Sequence, residues 1–221
     1  MCGIFGGINN LNIDKIKILG ILNESRGTDS TGFFDNYKST KAVLKFSDFS
    51  VDYYNDLKHY KDYIIGHTRF ATTGQKTERN AHPFSFGNIT GVHNGVISNF
   101  KDLKNKYNIP KLQCDSEIIF YLLNLKGIES LKELNGYFAI VYRDNRQKNK
   151  IFIVKHNAEF SYVKLDNSIY FSSDSQHLET AFTKSNNIIE IEENLLYEID
   201  ISTLEIKSSK IEGLISYDFS S

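Results

Sequence analysis

Residues 136–143 (GYFAIVYR) have the pattern of a β-strand that is apolar on both faces. Successive side chains of a strand point to opposite sides. The two faces are Phe138, Ile140 and Tyr142 on one side, and Tyr137, Ala139 and Val141 on the other. A strand that is apolar on both faces has to be covered on both faces. We therefore expect its sheet to lie between two other layers of the fold.

The remainder of the chain alternates between strand and helix periods. Strands are predicted where β-branched and aromatic residues cluster, over residues 3–8, 41–46, 63–69, 89–97, 136–143, 150–155, 160–165, 169–173 and 196–208. Apolar stripes at helical spacing predict helices, and the stripes begin at Ile13, Phe100, Ile118 and Leu178. The close spacing of the later strands favours hairpins. We predict an α+β fold, a four-layer αββα sandwich of antiparallel sheets.

Length and charge narrow the functional classes. The 221 residues suffice for a buried core and contain no linker-like stretch, so we predict a single domain over residues 1–221. A formal net charge of -1 gives no reason to expect nucleic acid or membrane as a partner. No apolar run approaches the roughly 20 residues that span a bilayer, and a secretory signal is not recognisable, so a cytoplasmic protein is expected. Zinc-site spacings are absent, and we expect neither metal nor cofactor.

Cys2 directly follows the initiator methionine and is small enough for that methionine to be removed. The mature chain would then begin with one residue carrying both a thiol, of ordinary pKa about 8.5, and an α-amine, of ordinary pKa about 7.7–8.0. A nucleophile and a base within one residue form the N-terminal variant of the catalytic dyad. The alternative is a small residue that merely starts a strand.

Four further segments are rich in glycine, asparagine and other polar residues: 26–32 (RGTDSTG), 66–74 (GHTRFATTG) with 80–84 (NAHPF), 92–99 (VHNGVISN) and 114–117 (CDSE). With Cys2-Gly3-Ile4 they resemble, in the same order, the glutaminase domain of class II glutamine amidotransferases. These enzymes are N-terminal nucleophile hydrolases. The resemblance covers the whole chain and implies the N-terminal nucleophile hydrolase fold.

The motifs divide between two subfamilies. GHTRFAT, NAHPF and HNGVISN are similar to the hexosamine-phosphate synthases, whereas DSE is similar to the amidophosphoribosyltransferases. The second domain of either subfamily is not found in these 221 residues, so a stand-alone glutaminase domain is expected.

The resemblance implies catalytic roles for three residues. Cys2 would attack the side-chain carbonyl of glutamine, and its own α-amine would serve as the base. Asn94 and the backbone N–H of Gly95 would form the oxyanion hole. An isolated Asn-Gly pair is more often a type I′ hairpin turn, and this alternative stays open at this point.

The remaining matches concern the substrate. Arg69 would bind the α-carboxylate of glutamine, since a guanidinium pairs with a carboxylate in a bidentate way, and Asp115 would bind the α-ammonium. Alternatives are a surface ion pair for Arg69 and a helix N-cap for Asp115. Phe70, Thr72 and His82 would line the glutamine pocket, with a packing role as the alternative for each.

Several residues depart from the family or carry a structural expectation. Phe70 stands where hexosamine-type members have tryptophan, and Thr73 where they have histidine. We expect His67 and His93 to be structural histidines with satisfied hydrogen bonds. Residues 26–32 are expected to form a loop near the nucleophile, and Cys114 to be a small buried thiol.

The resulting functional hypothesis is hydrolysis of glutamine to glutamate and ammonia, with ammonia passing to a separate synthetase or transferase subunit as partner. A hydrolase of γ-glutamyl amides in a small-molecule pathway is the second interpretation. A catalytically silent glutamine-binding module is the third, although the complete set of Cys2, Arg69, Asn94, Gly95 and Asp115 argues against it.

Overall fold

Two antiparallel sheets packed face to face form the centre of the molecule, in a computed structural model that describes residues 1–60, 62–71, 74–182 and 187–214. The strands are β1 (Gly3–Ile8), β2 (Ser30–Phe34), β3 (Ser39–Ala42), β4 (Tyr63–Arg69), β5 (Phe84–Phe86), β6 (Ile89–Ile97), β7 (Gly136–Asp144), β8 (Lys150–His156), β9 (Ser161–Leu165), β10 (Ser168–Ser172), β11 (Ile188–Glu190), β12 (Leu195–Asp200) and β13 (Ile206–Lys210). The helices are α1 (Ile13–Asn23), α2 (Phe46–Asp52), α3 (Tyr54–Lys58), α4 (Phe100–Lys106), α5 (Asp115–Lys126) and α6 (Ser175–Ala181). Short 3₁₀ helices occupy Glu78–Asn80 and Gly127–Glu133.

The strand order places β1 in the middle of its sheet. The first sheet runs β11-β9-β10-β1-β4-β2-β3, and the second runs β13-β12-β8-β7-β6-β5. β1 pairs antiparallel with β10 on one side and with β4 on the other. Cys2 directly precedes β1, so it lies at the end of the central strand of the first sheet.

Side chains that alternate along the strands hold four layers together. Ile4 packs in the core between the two sheets, whereas its neighbour Phe5 packs on the outer face of the first sheet, beneath α1, α2 and α6. On the second sheet Val141 faces the inner core, while Ile140 faces outward against α5. The predicted αββα sandwich of antiparallel sheets is confirmed, as are the two apolar faces of β7.

Two of the predicted strands differ from those in the structure. The strand expected over 41–46 ends at Ala42, because Phe46 and Phe49 are buried together three residues apart, as one face of α2. The strand expected over 196–208 is two strands, β12 and β13. Between them the Asp200 carboxylate accepts the backbone N–H groups of residues 202 and 203, at 2.9 and 2.8 Å, and so closes a turn.

The glycine-rich segment 26–32 is only partly a loop, since β2 begins at Ser30. Gly32 lies within that strand, and a Cβ there would come 2.1 Å from the carbonyl oxygen of His82. The glycine thus permits close approach of another segment and does not mark a turn. The short strands β5 and β11 and the helices α2 and α3 were also not predicted.

Over the described residues, no helix has both the length and the apolar character that crossing a lipid bilayer requires.

Candidate active site

The sulfur of Cys2 lies against the backbone of Phe70, the residue that follows β4. The Phe70 N–H is 3.4 Å from Sγ and the Phe70 carbonyl oxygen is 3.5 Å from it. Burial of the thiol raises its pKa, and the nearby Phe70 N–H and Arg69 guanidinium offset only part of that effect. The thiol is therefore protonated at neutral pH, and attack by this sulfur requires a base.

One cavity collects most of the residues that the sequence singled out. It is lined by Cys2, Arg69, Phe70, His82, His93, Gly95, Cys114, Asp115 and Ser116. Asn94 lines a neighbouring cavity instead, and Thr72 and Thr73 lie outside the described residues. The cavity measures about 20 Å³, enough for about one water molecule. Side chains must move before an amino acid fits.

The Asn94-Gly95 pair lies inside strand β6 and not in a hairpin turn, so the turn alternative is wrong. Gly95 has φ +143°, a conformation that favours glycine. A Cβ at this position would come 2.1 Å from the carbonyl oxygen of Tyr137 on β7. The backbone at Gly95 can therefore adopt this path only without a side chain.

A serine that the sequence analysis did not single out connects Asn94 with the strand of Cys2. The Asn94 side-chain amide donates to Ser173 Oγ at 3.3 Å, and the same oxygen accepts the Ile4 N–H at 2.9 Å. The Ser173 N–H in turn donates to the Ile4 carbonyl at 2.8 Å. Asn94 is thus fixed relative to the start of β1. A lone serine after a strand carries no sequence signal for such a contact.

Two oppositely charged side chains face the same cavity from different elements. Arg69 ends β4, is 4% exposed, and donates from Nη1 to the Gln75 carbonyl at 3.2 Å. Asp115 opens α5, is 7% exposed, and accepts the Ile97 N–H at 3.0 Å. The N-cap of α5 is Cys114, so the capping alternative for Asp115 is wrong by one residue.

Three buried histidines form a cluster at this cavity, which His82 and His93 line. The rings of His67 and His82 lie 3.8 Å apart. His67 Nε2 contacts the His93 carbonyl at 3.0 Å, and His93 Nδ1 contacts Ser116 Oγ at 2.9 Å. Within the described chain, the second nitrogen of each of these two rings and both nitrogens of His82 have no hydrogen-bond partner. The expectation of satisfied histidines therefore holds for only one nitrogen of His67 and of His93.

Burial keeps the histidine cluster neutral. It lowers the pKa of His67 to about 3 and that of His93 to about 4, and it holds the pKa of His82 well below the ordinary value. At neutral pH none of these rings carries charge beside Cys2. Groups with such low pKa values are also weak general bases at pH 7.

The segment between α1 and β2 forms hydrogen bonds with Cys2 and with the residues that follow β4. Arg26 Nε donates to the Cys2 carbonyl at 3.0 Å. The Asp29 carboxylate accepts the Ala71 N–H at 2.8 Å and pairs with Lys76 at 2.6 Å. These contacts fix Cys2 and the residues after Arg69 relative to each other.

Comparison with known families identifies the arrangement. The sequence model of a family described as a glutamine amidotransferase domain matches residues 67–180, more than half of the chain. The chain belongs to this family. It is a class II glutamine amidotransferase domain, and its two sheets with flanking helices are those of the N-terminal nucleophile hydrolases.

Two relatives of this amidotransferase domain are longer than the chain, which spans less than half of each. Glutamine--fructose-6-phosphate aminotransferase of Helicobacter pylori is 30% identical over 99% of the chain, which spans 39% of that enzyme's length. Glutamine phosphoribosylpyrophosphate amidotransferase of B. subtilis superposes with a TM-score of 0.76 at 20% identity, over 95% of this chain and 49% of that one.

A class-II glutamine aminotransferase domain protein of Silicibacter pomeroyi shares the fold over its full length. It superposes with a TM-score of 0.63 at 11% identity, and the match covers 99% of this chain and 100% of that one. Both structural likenesses concern the fold of the amidotransferase domain.

Proposed function

We propose that this domain hydrolyses the side-chain amide of glutamine through a thioester on Cys2. The observation that carries the proposal is that one cavity presents a thiol, a buried guanidinium and a buried carboxylate, those of Cys2, Arg69 and Asp115. Glutamine offers a matching set: an amide carbon for the thiol, an α-carboxylate for Arg69 and an α-ammonium for Asp115.

The base in this mechanism is the α-amine of Cys2, once Met1 is removed. The raised pKa of the thiol calls for a base, and burial makes the three nearby histidines poor ones. The α-amine belongs to the same residue as the sulfur and has an ordinary pKa of about 7.7–8.0. It takes the thiol proton and returns a proton to the departing nitrogen.

The negative oxygen of the tetrahedral intermediate is received by the Asn94 side-chain amide and the Gly95 N–H. Two observations support this role. Ser173 Oγ accepts hydrogen bonds from both the Asn94 side chain and the Ile4 N–H, and the backbone at Gly95 follows a path that leaves no room for a side chain. Such a fixed pair of donors stabilises charge that develops only during the reaction. Phe70, Thr72 and His82 complete the glutamine pocket in this proposal.

The ammonia passes to a separate synthetase or transferase subunit. Support comes from the H. pylori relative, an aminotransferase in which the matched region makes up 39% of the length. We place the reaction in the cytoplasm, where a free thiol stays reduced.

A matched pair of preparations tests the proposal. The domain is produced behind a cleavable N-terminal extension, and a site-specific protease then exposes Cys2 as the first residue, as verified by intact mass. Glutamate release from glutamine is measured before and after cleavage, with the proposed partner subunit added where one is available. Activity should arise only after cleavage, and Cys2→Ala should abolish it.

Two results would overturn the proposal. Equal activity before and after cleavage would exclude the α-amine as the base. Absence of turnover by the cleaved protein, with glutamine bound, would favour the silent binding module.

A further inference from the structure

Another arginine, Arg143 on β7, lines a cavity at the end of the sandwich opposite to Cys2. The cavity measures about 220 Å³, and Tyr63 also contributes to its wall. Tyr63 is the first residue of β4 and Arg69 is the last, so the strand separates them by about 20 Å at about 3.3 Å per residue. Among the described residues, none lines both this cavity and the one that contains Cys2. The Arg143 cavity is therefore separate from the candidate active site.

The guanidinium of Arg143 forms hydrogen bonds through only one of its three nitrogens. Nη1 donates to the Asn36 carbonyl at 3.0 Å and to the Tyr63 hydroxyl at 3.4 Å. Nε is buried and has no hydrogen-bond partner within the described chain. In the same part of the chain Nη2 has no partner either, and the side chain forms no ion pair. A partly buried charge is costly unless an opposite charge lies beside it, so this guanidinium lacks a counter-charge.

The two nitrogens without partners form one edge of the guanidinium, and this edge suits a carboxylate. The N–H groups on Nε and Nη2 point in the same direction and can bind two carboxylate oxygens at once. Arg146, close by in the chain, shows this geometry: Nε donates to both oxygens of Asp144, at 2.9 and 3.1 Å, and Nη2 donates to one of them at 2.8 Å. Arg143 has the same edge without the carboxylate.

We propose that Arg143 binds the carboxylate of a small polar molecule in this cavity. The ligand supplies acceptors for Nε and Nη2 and a counter-charge for the guanidinium. Because Nε is covered by neighbouring atoms, a small rotation of the guanidinium accompanies binding through both nitrogens. The inference concerns a site apart from Cys2 and does not rest on the proposed function.

The other charges at the cavity favour a singly charged anion. Asp35 also lines the cavity, and its carboxylate accepts the N–H groups of Tyr37 and Lys38 at 2.7 and 2.8 Å. The Lys38 ammonium pairs with Asp56 at 2.5 Å, so its charge is already balanced. A doubly charged phosphate is repelled by the Asp35 carboxylate more strongly than a singly charged carboxylate is. The cavity therefore suits a carboxylate better than a phosphate.

The remaining wall is polar and favours a ligand that also carries a hydroxyl group. Ser39, Thr90 and Asn145 line the cavity and bring hydroxyl and amide groups to it. Thr90 on β6 is paired with Arg143 on β7, so their side chains are neighbours on the same face of the sheet. A small hydroxy acid fits this arrangement, with its carboxylate on Arg143 and its hydroxyl toward Thr90.

Calorimetric titration of the whole chain with L-lactate measures this binding, in a buffer without phosphate or another carboxylate. L-lactamide is the matched control ligand, because a neutral amide replaces the carboxylate and the rest of the molecule is the same. We expect lactate to bind at least about tenfold more tightly than lactamide. Inorganic phosphate, titrated in the same way, should bind more weakly than lactate.

Three variants test whether Arg143 is responsible. Arg143→Lys keeps the charge but lacks the planar pair of nitrogens, and should weaken lactate binding at least about tenfold. Arg146→Lys is the matched control and should leave the affinity unchanged, because this arginine already pairs with Asp144. Thr90→Tyr fills the space beside Arg143 and should weaken binding with the arginine still in place. Urea unfolding of each variant verifies that it is folded.

Three results would overturn the inference. The first is no detectable binding of lactate, or equal affinity for lactate and lactamide. The second is binding that persists in Arg143→Lys and is lost in Arg69→Lys, since this result places lactate in the candidate active site. The third is tighter binding of phosphate than of lactate, which contradicts the choice of a carboxylate. None of these results bears on glutamine hydrolysis, so the proposed function is tested separately.

Discussion

Mild acid should destabilise the folded domain, and His67 allows the size of the effect to be worked out. Burial lowers the pKa of this ring from its ordinary 6.5 to about 3 in the folded protein. Between these two values the unfolded chain binds a proton at His67 and the folded chain does not. Lowering the pH through this window therefore favours the unfolded chain, and stability is complete only above pH 6.5.

The free energy involved is substantial for one residue. At 1.36 kcal/mol per pH unit, moving from 6.5 to pH 5 stabilises the unfolded chain by about 2 kcal/mol through His67 alone. At pH 7.5 the contribution is close to zero. The lowered pKa values of His82 and His93 act in the same direction.

Urea unfolding at pH 7.5 and pH 5 measures this effect in three proteins. Between the two pH values, His67→Gln should lose about 2 kcal/mol less of its unfolding free energy than the wild type. His59→Gln should lose as much as the wild type, because His59 is exposed. An equal loss for His67→Gln and the wild type would refute the buried, uncharged state of this ring.

Three substitutions in the candidate site give further expected outcomes. Gly95→Ala should lower kcat for glutamine by about 10²–10³-fold, because the new Cβ would clash with the Tyr137 carbonyl oxygen and shift the Gly95 N–H. Steady-state glutamate release measures this loss, and a loss under threefold contradicts the prediction. Arg69→Lys should raise KM about tenfold with little change in kcat, whereas an effect confined to kcat would argue against carboxylate binding. Ser173→Ala should cost about 1–3 kcal/mol in urea unfolding by leaving the buried Ile4 N–H without its acceptor, and unchanged stability would contradict that contact.

The layers of the fold were predictable because they follow from local periodicity. The two faces of β7 identified a sheet covered on both sides, and the stripe at Ile118 identified α5. Predictions failed where a residue's role is set by a distant segment. Gly32 has the appearance of a loop residue, yet it is a strand glycine because the His82 carbonyl approaches it.

In the candidate site, too, the sequence motifs were predictive but the contacts between distant segments were not. Cys2 and Arg69, which the sequence motifs single out, both line one cavity. The contact of Asn94 with Ser173 joins residues 79 positions apart, and no periodicity reports it. The unpartnered ring nitrogens of the histidine cluster also depend on packing between sheets, which residue type alone does not reveal.

The central place of β1 has a consequence for how the protein is made. Ile4 is synthesised 169 residues before Ser173, the residue whose hydroxyl it contacts. While the ribosome is still translating the middle of the chain, the first strand has no β10 to pair with. Contacts so distant in sequence form slowly. Ile4 is thus among the earliest residues to be translated, yet its contact with Ser173 can form only after most of the chain has been made.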